Sequence, residues 1–173
     1  MEVYVLRLFH RIERDKRVTT HCALVSRAFL AKEMYYCGDK DEKMEKSIEK
    51  VNKNFGSNFK VTYVKSWKDL IKTFDGLKVH LTMYGIPLTE KIDFIKSFNK
   101  ILVVIGSEKV PKEVYEIVDL NISITNQPHS EVAAIAIFLD RIFEGKEFYS
   151  DFKNGKLRIV PSERGKILEK WSG

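Results

Sequence analysis

At 173 residues and 44% hydrophobic content, the chain is long enough for one well-packed domain and short for two. A net charge of +6 permits an acidic partner such as nucleic acid without demanding one. No apolar run approaches the ~20 residues that span a bilayer, and Met1-Glu2-Val3-Tyr4-Val5 lacks the basic start and apolar core of a signal peptide. Cys22 and Cys37 fit no zinc spacing and are too few for a disulfide scaffold, so a soluble domain of the reducing cytoplasm is expected.

Glu2 to Leu8 alternates, with Val3, Val5 and Leu8 inward, which predicts a first strand. Phe9 to Arg17 carries six charged residues among nine and reads as a solvated loop. Thr19-Thr20 then caps a helix through Leu24, Arg27, Ala28 and Ala31, with Thr20 and Arg27 on one face. Arg27 stands in an otherwise apolar stretch. It is either a snorkelling surface residue or a guanidinium held in a pocket for a phosphate or carboxylate. Glu33 to Cys37 is a second strand, Asp41 to Asn54 an amphipathic helix with Met44, Ile48 and Val51 as its stripe, and Phe59 to Lys65 a third strand. Ser66-Trp67-Lys68-Asp69 opens a short helix ending at Phe74.

The second half is more apolar. Leu77 to Leu81 is a strand, Ile92, Ile95 and Phe98 mark a helix, and Ile101 to Ile105 is a fully buried strand. Pro111 begins a further helix, and Leu120 to Ile124 forms a short strand. Thr125 to Glu131 is a polar loop feeding a helix, with Asn126 or Gln127 capping and Pro128 at its first position. Val132 to Leu139 is apolar on every side, so that helix is buried all round, under its own sheet or in a second subunit. Lys146 to Lys170 reads as an extended basic arm. Strand–helix alternation without repeats or linkers predicts an α/β fold: a mostly parallel sheet with helices on both faces, in one domain spanning residues 1–173.

Three loops leave the carboxyl ends of successive strands in the second half: Leu81 to Gly85, Gly106 to Val110, and Ile124 to Glu131. Ligands of open α/β sheets bind at those ends, so the three loops define a site. Ordinary dinucleotide or nucleoside-triphosphate binding is disfavoured, because neither G-x-G-x-x-G nor a Walker pattern occurs. His10, His21, His80 and His129 lack metal-ligand spacing, and Ser130 has no G-x-S-x-G elbow around it, so metal and serine-hydrolase chemistry are not expected.

Four stretches carry a resemblance: Arg14-Asp15-Lys16-Arg17-Val18-Thr19-Thr20-His21, Val79 to Gly85, Val103 to Pro111, and Asn126-Gln127-Pro128-His129-Ser130-Glu131-Val132-Ala133-Ala134. In this order and spacing the chain resembles the archaeal tRNA (cytidine-56-2′-O)-methyltransferase family, of the knotted SPOUT class. The resemblance continues through Leu157-Arg158-Ile159-Val160-Pro161. It implies a trefoil knot in the C-terminal half, against the rule that chains avoid threading, and a homodimer contacted through the helix after Pro128. It also implies S-adenosylmethionine as cofactor and tRNA as substrate. The cofactor would lie on Leu81 and Thr82, on Gly106, Ser107, Glu108, Lys109 and Val110, and on Ile124, Thr125, Asn126, Gln127, Pro128, His129, Ser130 and Glu131. Arg11, Arg14, Lys16 and Arg17 would face the RNA. Arg27 would stabilise the developing 2′-alkoxide rather than take its proton, since a guanidinium stays protonated. The proton would pass to solvent, a phosphate oxygen, or a neighbour such as His21. The sequence departs from the family pattern at Phe9, Leu30 and Thr125, where glycine is usual, and at Ile12, where proline is usual. Two further readings stand beside this one: a SPOUT enzyme with another target nucleotide, and an inactive RNA-binding dimer.

Overall fold

The computed structural model describes residues 1–107 and 109–171. In chain order these form β1 (Glu2–His10), α1 (Ile12–Ala28), β2 (Glu33–Gly38), α2 (Glu42–Phe55), β3 (Lys60–Tyr63), α3 (Trp67–Thr73) and β4 (Leu77–Pro87). There follow α4 (Leu88–Lys96), β5 (Lys100–Ile105), α5 (Lys112–Ile117), β6 (Leu120–Ser123), α6 (Glu131–Phe143), a 3₁₀ turn at Lys146–Tyr149, β7 (Leu157–Val160) and β8 (Ile167–Lys170). Six strands make one parallel sheet in the order β3-β2-β1-β5-β4-β6, and β7 and β8 form a separate antiparallel hairpin. The expected α/β class is therefore observed.

Strand parity builds the two layers, because successive side chains leave a strand on opposite faces. Odd positions Val3, Val5, Val79, Leu81, Ile101, Val103 and Ile105 pack against α1, α2, α4 and α6. Even positions Leu6, Leu8, Leu102 and Val104 pack against Ile71 of α3 and Val114 of α5. Cys22 and Cys37 are buried free thiols. Burial pushes Cys22 up to about 12 and raises Cys37, so neither is a nucleophile near neutral pH.

One strand changes parity at its end. Arg7 pairs with Tyr36 and His10 with Gly38, so three steps along β1 match two along β2. The extra residue is a bulge at Phe9, whose φ is 53°. It turns His10 toward α1, where the ring meets Thr19 Oγ1 at 2.8 Å and Asp41 Oδ2 at 3.3 Å. Asp41 in turn caps α2 by accepting from the Met44 amide. Gly38 (φ 104°) lies against this bulge, and a Cβ there would strike the His10 backbone.

The charged stretch after β1 is a helix, contrary to the expected loop and Thr19–Thr20 cap. Charge is compatible with a helix when partners sit four apart, and Arg11 and Asp15 do. The Asp15 carboxylate accepts from the Arg11 backbone N–H at 3.1 Å and from its guanidinium at 2.8 and 3.1 Å. Asp39, from the turn after β2, accepts from the Ile12 amide at 3.1 Å. Acid groups thus satisfy the first amides of α1, and Thr19 is buried in its second turn. Ile12 is the first helical residue, a position that suits proline, and it spends on Asp39 an N–H that proline lacks.

α1 ends in a Schellman turn: Ala31 N–H reaches Ser26 O at 2.9 Å, and Leu30 N–H reaches Arg27 O at 3.3 Å. Leu30 adopts φ 67° there, a left-handed conformation that costs a branched side chain ~1 kcal/mol or more. Glycine at position 30 is therefore expected to leave the protein about 1 kcal/mol more stable than alanine at position 30, the reverse of their ordinary ranking in a helix. Urea denaturation of Leu30→Gly and Leu30→Ala compares the two directly; alanine matching glycine would refute the strain. Thr125 is not among the positive-φ residues, so its missing glycine costs the backbone nothing of this kind.

Two expectations at α6 change. Ser130, not Asn126 or Gln127, is the cap, its Oγ accepting from Ala133 N–H at 3.2 Å, so Pro128 precedes the helix. Nor is α6 buried all round. Ala134, Ile135, Phe138, Leu139 and Ile142 are inside, but Ile137 is 43% exposed. The C-terminal arm is a turn and a hairpin rather than a plain extended segment.

Candidate functional site

Parallel strands send all their carboxyl ends one way, and β5 and β6 deliver two loops to the same place. The expected first loop, Leu81 to Gly85, is instead a bulge within β4, where Leu81 and Ile86 both pair with Ile122. The bulge and the two loops enclose a cleft of about 610 Å³. From the expected set, Leu81 and Thr82, then Gly106, Ser107, Lys109 and Val110, then Pro128, His129 and Glu131 line it. Glu108 lies outside the described residues. Gly106 is required where it stands, because a Cβ would run into the Val110 side chain that folds back across the loop.

Other expected residues act on the loops rather than in the cleft. Asn126 Nδ2 donates to Met83 O at 2.7 Å and Gly85 O at 3.1 Å, tying the loop after β6 to the end of β4. Gln127 N–H donates to Thr125 Oγ1 at 3.3 Å, closing a turn, and Ser130 is the helix cap. Ile124 lines a neighbouring cleft between α4 and α6 with Leu88, Ile92 and Ile137.

The cleft also holds Met83 and Tyr84, from the expected Leu81–Gly85 stretch, and four members that sequence reasoning missed: His80, Ile105, Tyr115 and Ala134. Tyr115 reaches back from α5, its hydroxyl 3.2 Å from Thr82 Oγ1 and its ring edge-on to His80 at 4.7 Å. His80 Nδ1 meets Asn121 Oδ1 at 2.9 Å, and Asn121 Nδ2 donates to Tyr115 O at 2.9 Å. Burial lowers the His80 pKa, so the ring is neutral at pH 7 and its Nδ1 carries the proton given to Asn121. Only Tyr115 could have been flagged in the sequence, as an aromatic on a short helix with three charged residues. The rest needed the pairing of β4 with β6.

The two residues expected to be catalytic lie elsewhere. Arg27 sits in the last turn of α1, fifteen residues along from Ile12 and so roughly 22 Å from the loop end of the sheet. Its guanidinium donates to Gly56 O and, at 2.8 Å, to Asn52 Oδ1, and lies over the Phe152 ring at 4.7 Å. Burial lowers its pKa. Within one chain it does not meet the cleft. His21 is exposed and shares a shallow groove of α1 and α2 with Lys16, Arg17, Thr20, Lys43 and Ser47. Arg11 is held by Asp15, whose pKa its hydrogen bond lowers, and Arg14 is exposed on the same helix. Among the described residues no three His, Cys, Asp or Glu side chains gather to hold a metal, and no helix is long and apolar enough to cross a membrane.

The sheet and its flanking helices share the fold of solved SpoU-type methyltransferases. A solved structure of the SpoU methyltransferase AviRb from Streptomyces viridochromogenes, in complex with the cofactor AdoMet, superposes with a TM-score of 0.60 at 12% identity, over 84% of this chain and 60% of that one. The family is narrower. Residues 55–169 match the family described as tRNA ribose 2′-O-methyltransferase, aTrm56, and the chain belongs to it. It is 58% identical to the tRNA (cytidine(56)-2′-O)-methyltransferase of Archaeoglobus fulgidus, over 96% of this chain and 97% of that protein. Identity to the enzyme of the same description from Methanocaldococcus jannaschii is 50%, over 97% and 96%.

Proposed function

We propose that this chain methylates the ribose 2′-oxygen of cytidine-56 in tRNA, using S-adenosylmethionine. The observation that carries the reading is the 58% identity to the A. fulgidus enzyme along almost the whole of both chains. The cleft fits the cofactor by its chemistry. Leu81, Ile105, Val110 and Ala134 offer apolar surface to an adenosyl group, Gly106 admits close backbone approach, and Thr82, Tyr115, His129 and Glu131 are convergent polar groups. S-adenosylmethionine, when bound, supplies an electrophilic methyl group. The chain's part is to hold the ribose in line with it and to keep water out. Within one chain Arg27 stands apart from this machinery, holding Asn52 and Gly56 instead.

The tRNA side of the site is the basic groove of α1 and α2. Lys16, Arg17 and Lys43, with His21, Thr20 and Ser47, suit a run of phosphates, and Arg11 and Arg14 extend the charge toward the start of α1. Reversing Lys16, Arg17 and Lys43 to glutamate is expected to leave S-adenosylmethionine binding unchanged. It should also flatten the slope of log K for tRNA against log salt by about 2. Filter binding at several salt concentrations measures that slope, and an unchanged slope would move the RNA elsewhere.

The proposal includes a homodimer, supported by the open stripe on α6 around Ile137, and a trefoil knot in a single domain. The chain's return from the β6 edge to pack α6 against α1 and α4 supports the threading. A tRNA substrate puts the protein in the cytoplasm.

Methyl transfer from labelled S-adenosylmethionine to an unmodified tRNA transcript tests the function, beside a transcript with a 2′-deoxy sugar at cytidine-56. Label on the first alone is the expected result. Equal labelling would keep the methyltransferase and discard the nucleotide. Bound cofactor without transfer would favour an RNA-binding dimer.

A further inference from the structure

β1 fills the α1–α6 face with Val3 and Val5 and then, at the next odd position, carries Arg7. That side chain is among the largest fully buried in the molecule, with the residue 1% exposed. A guanidinium withdrawn from water needs partners for its donors or a close counter-charge. Nη1 reaches Leu8 O at only 3.4 Å, and Nε has no hydrogen-bond partner among the described residues. Among those residues the carboxylate in ion-pair range is Glu131, 3.8 Å from Nη1.

Glu131 lines the cleft, and Arg7 lies next to a residue that does. Arg7 pairs in the sheet with Ile105, which lines it, and Glu131 opens α6 as the single carboxylate among the described lining residues. Glu131 is partly open to solvent, whereas Arg7 is not. An apolar residue at position 7 would spare the fold a desolvation cost. What the arginine provides instead is a fixed partner for the one carboxylate among the described lining residues.

We propose that Arg7 is a positioning residue that holds Glu131 in the cleft as the counter-charge to a cationic methyl donor. The inference rests on reading the cleft as the S-adenosylmethionine site. The donor carries a sulfonium charge that its thioether product lacks, so a carboxylate facing the sulfur favours donor over product and eases release of the spent cofactor.

Titration calorimetry with S-adenosylmethionine and with S-adenosylhomocysteine tests this on the wild type, Glu131→Gln, Arg7→Met, Arg7→Lys and the Arg7→Met/Glu131→Gln double variant. Loss of a partly desolvated charge pair in Glu131→Gln is expected to weaken the donor about tenfold and the product less than about threefold. Arg7→Met should reproduce that selective loss, Arg7→Lys should regain most of it, and the double variant should be no worse than Glu131→Gln alone. Equal weakening of both ligands, or a double variant whose losses add, overturns the proposal. If Arg7→Met does not fold, the selectivity of Glu131→Gln and of Arg7→Lys decides it. Failure of the wild type to bind either ligand would overturn the cofactor reading itself, an outcome distinct from loss of selectivity.

Discussion

Replacing Gly106 with alanine will weaken S-adenosylmethionine binding about tenfold, and replacing it with valine about a hundredfold, equivalent to ~1.4 and ~2.7 kcal/mol. The cause is local. An added Cβ meets the Val110 side chain, and the next nearest atom belongs to the same residue. Valine is β-branched and stiff, so it yields only by moving the loop or by turning into the cleft it lines. Overpacking of that kind costs about 1–3 kcal/mol. Since a single side chain is in the way, trimming it should restore what the glycine lost. Gly106→Ala with Val110→Ala is therefore expected to bind within about threefold of Val110→Ala alone. Calorimetry on the four proteins closes the cycle. Full additivity would show that Gly106 matters for some other reason than its distance from Val110.

Arg27→Met is expected to cost about 3 kcal/mol of stability while leaving turnover per folded molecule within about twofold. The loss has three parts. Asn52 Oδ1 and Gly56 O each lose a charged donor, and Phe152 loses the guanidinium over its ring. Methionine keeps most of the apolar stem, so little of the effect is cavity. In a chain of this size the melting temperature should fall by about 6–12 °C. Thermal denaturation beside single-turnover methylation at a temperature where both proteins are folded separates the two effects. A hundredfold drop in rate with unchanged melting would return Arg27 to the reaction, by way of a partner subunit's cleft.

The two layers were legible because strand parity and the 3.6-residue period are written in the apolar positions themselves. Val3, Val5, Ile101 and Val103 could be assigned to a buried sheet before any coordinate. So could the loops after β5 and β6, since they follow from where those strands stop, whereas Leu81 to Gly85 is a bulge inside β4 rather than a loop beyond it. The start of α1 was not legible. Six charges in nine residues look solvated unless one knows that Asp39, twenty-seven positions from Ile12, comes round to meet its amide. Phe9 and Leu30 were noticed as residues standing where the family has glycine, and both hold positive φ, one in a bulge and one in a Schellman turn. Thr125, noticed for the same reason, does not. His80 and Arg7 escaped because their importance is a matter of pairing across the sheet, which no local pattern encodes. Arg27 drew attention as a lone cation in an apolar helix. Its partners lie at the end of α2, just after it and in the C-terminal segment, and they tie it into the fold.

The strand order carries a consequence for how the chain reaches its native state. β5 lies between β1 and β4, pairing Val3 with Ile101 on one side and Leu77 with Ile101 on the other. Until residue 100 or so has been made, the N-terminal trio of strands and β4 have no hydrogen-bonded connection, and the middle of the sheet is a gap one strand wide. A nascent chain therefore carries two exposed edges that only a late strand, apolar after Lys100, can seal. Contacts of such long sequence separation close slowly, because loop entropy is lost before pairing repays it. Insertion of β5 is therefore expected to gate folding, and chains interrupted before it are expected to present open edges to one another.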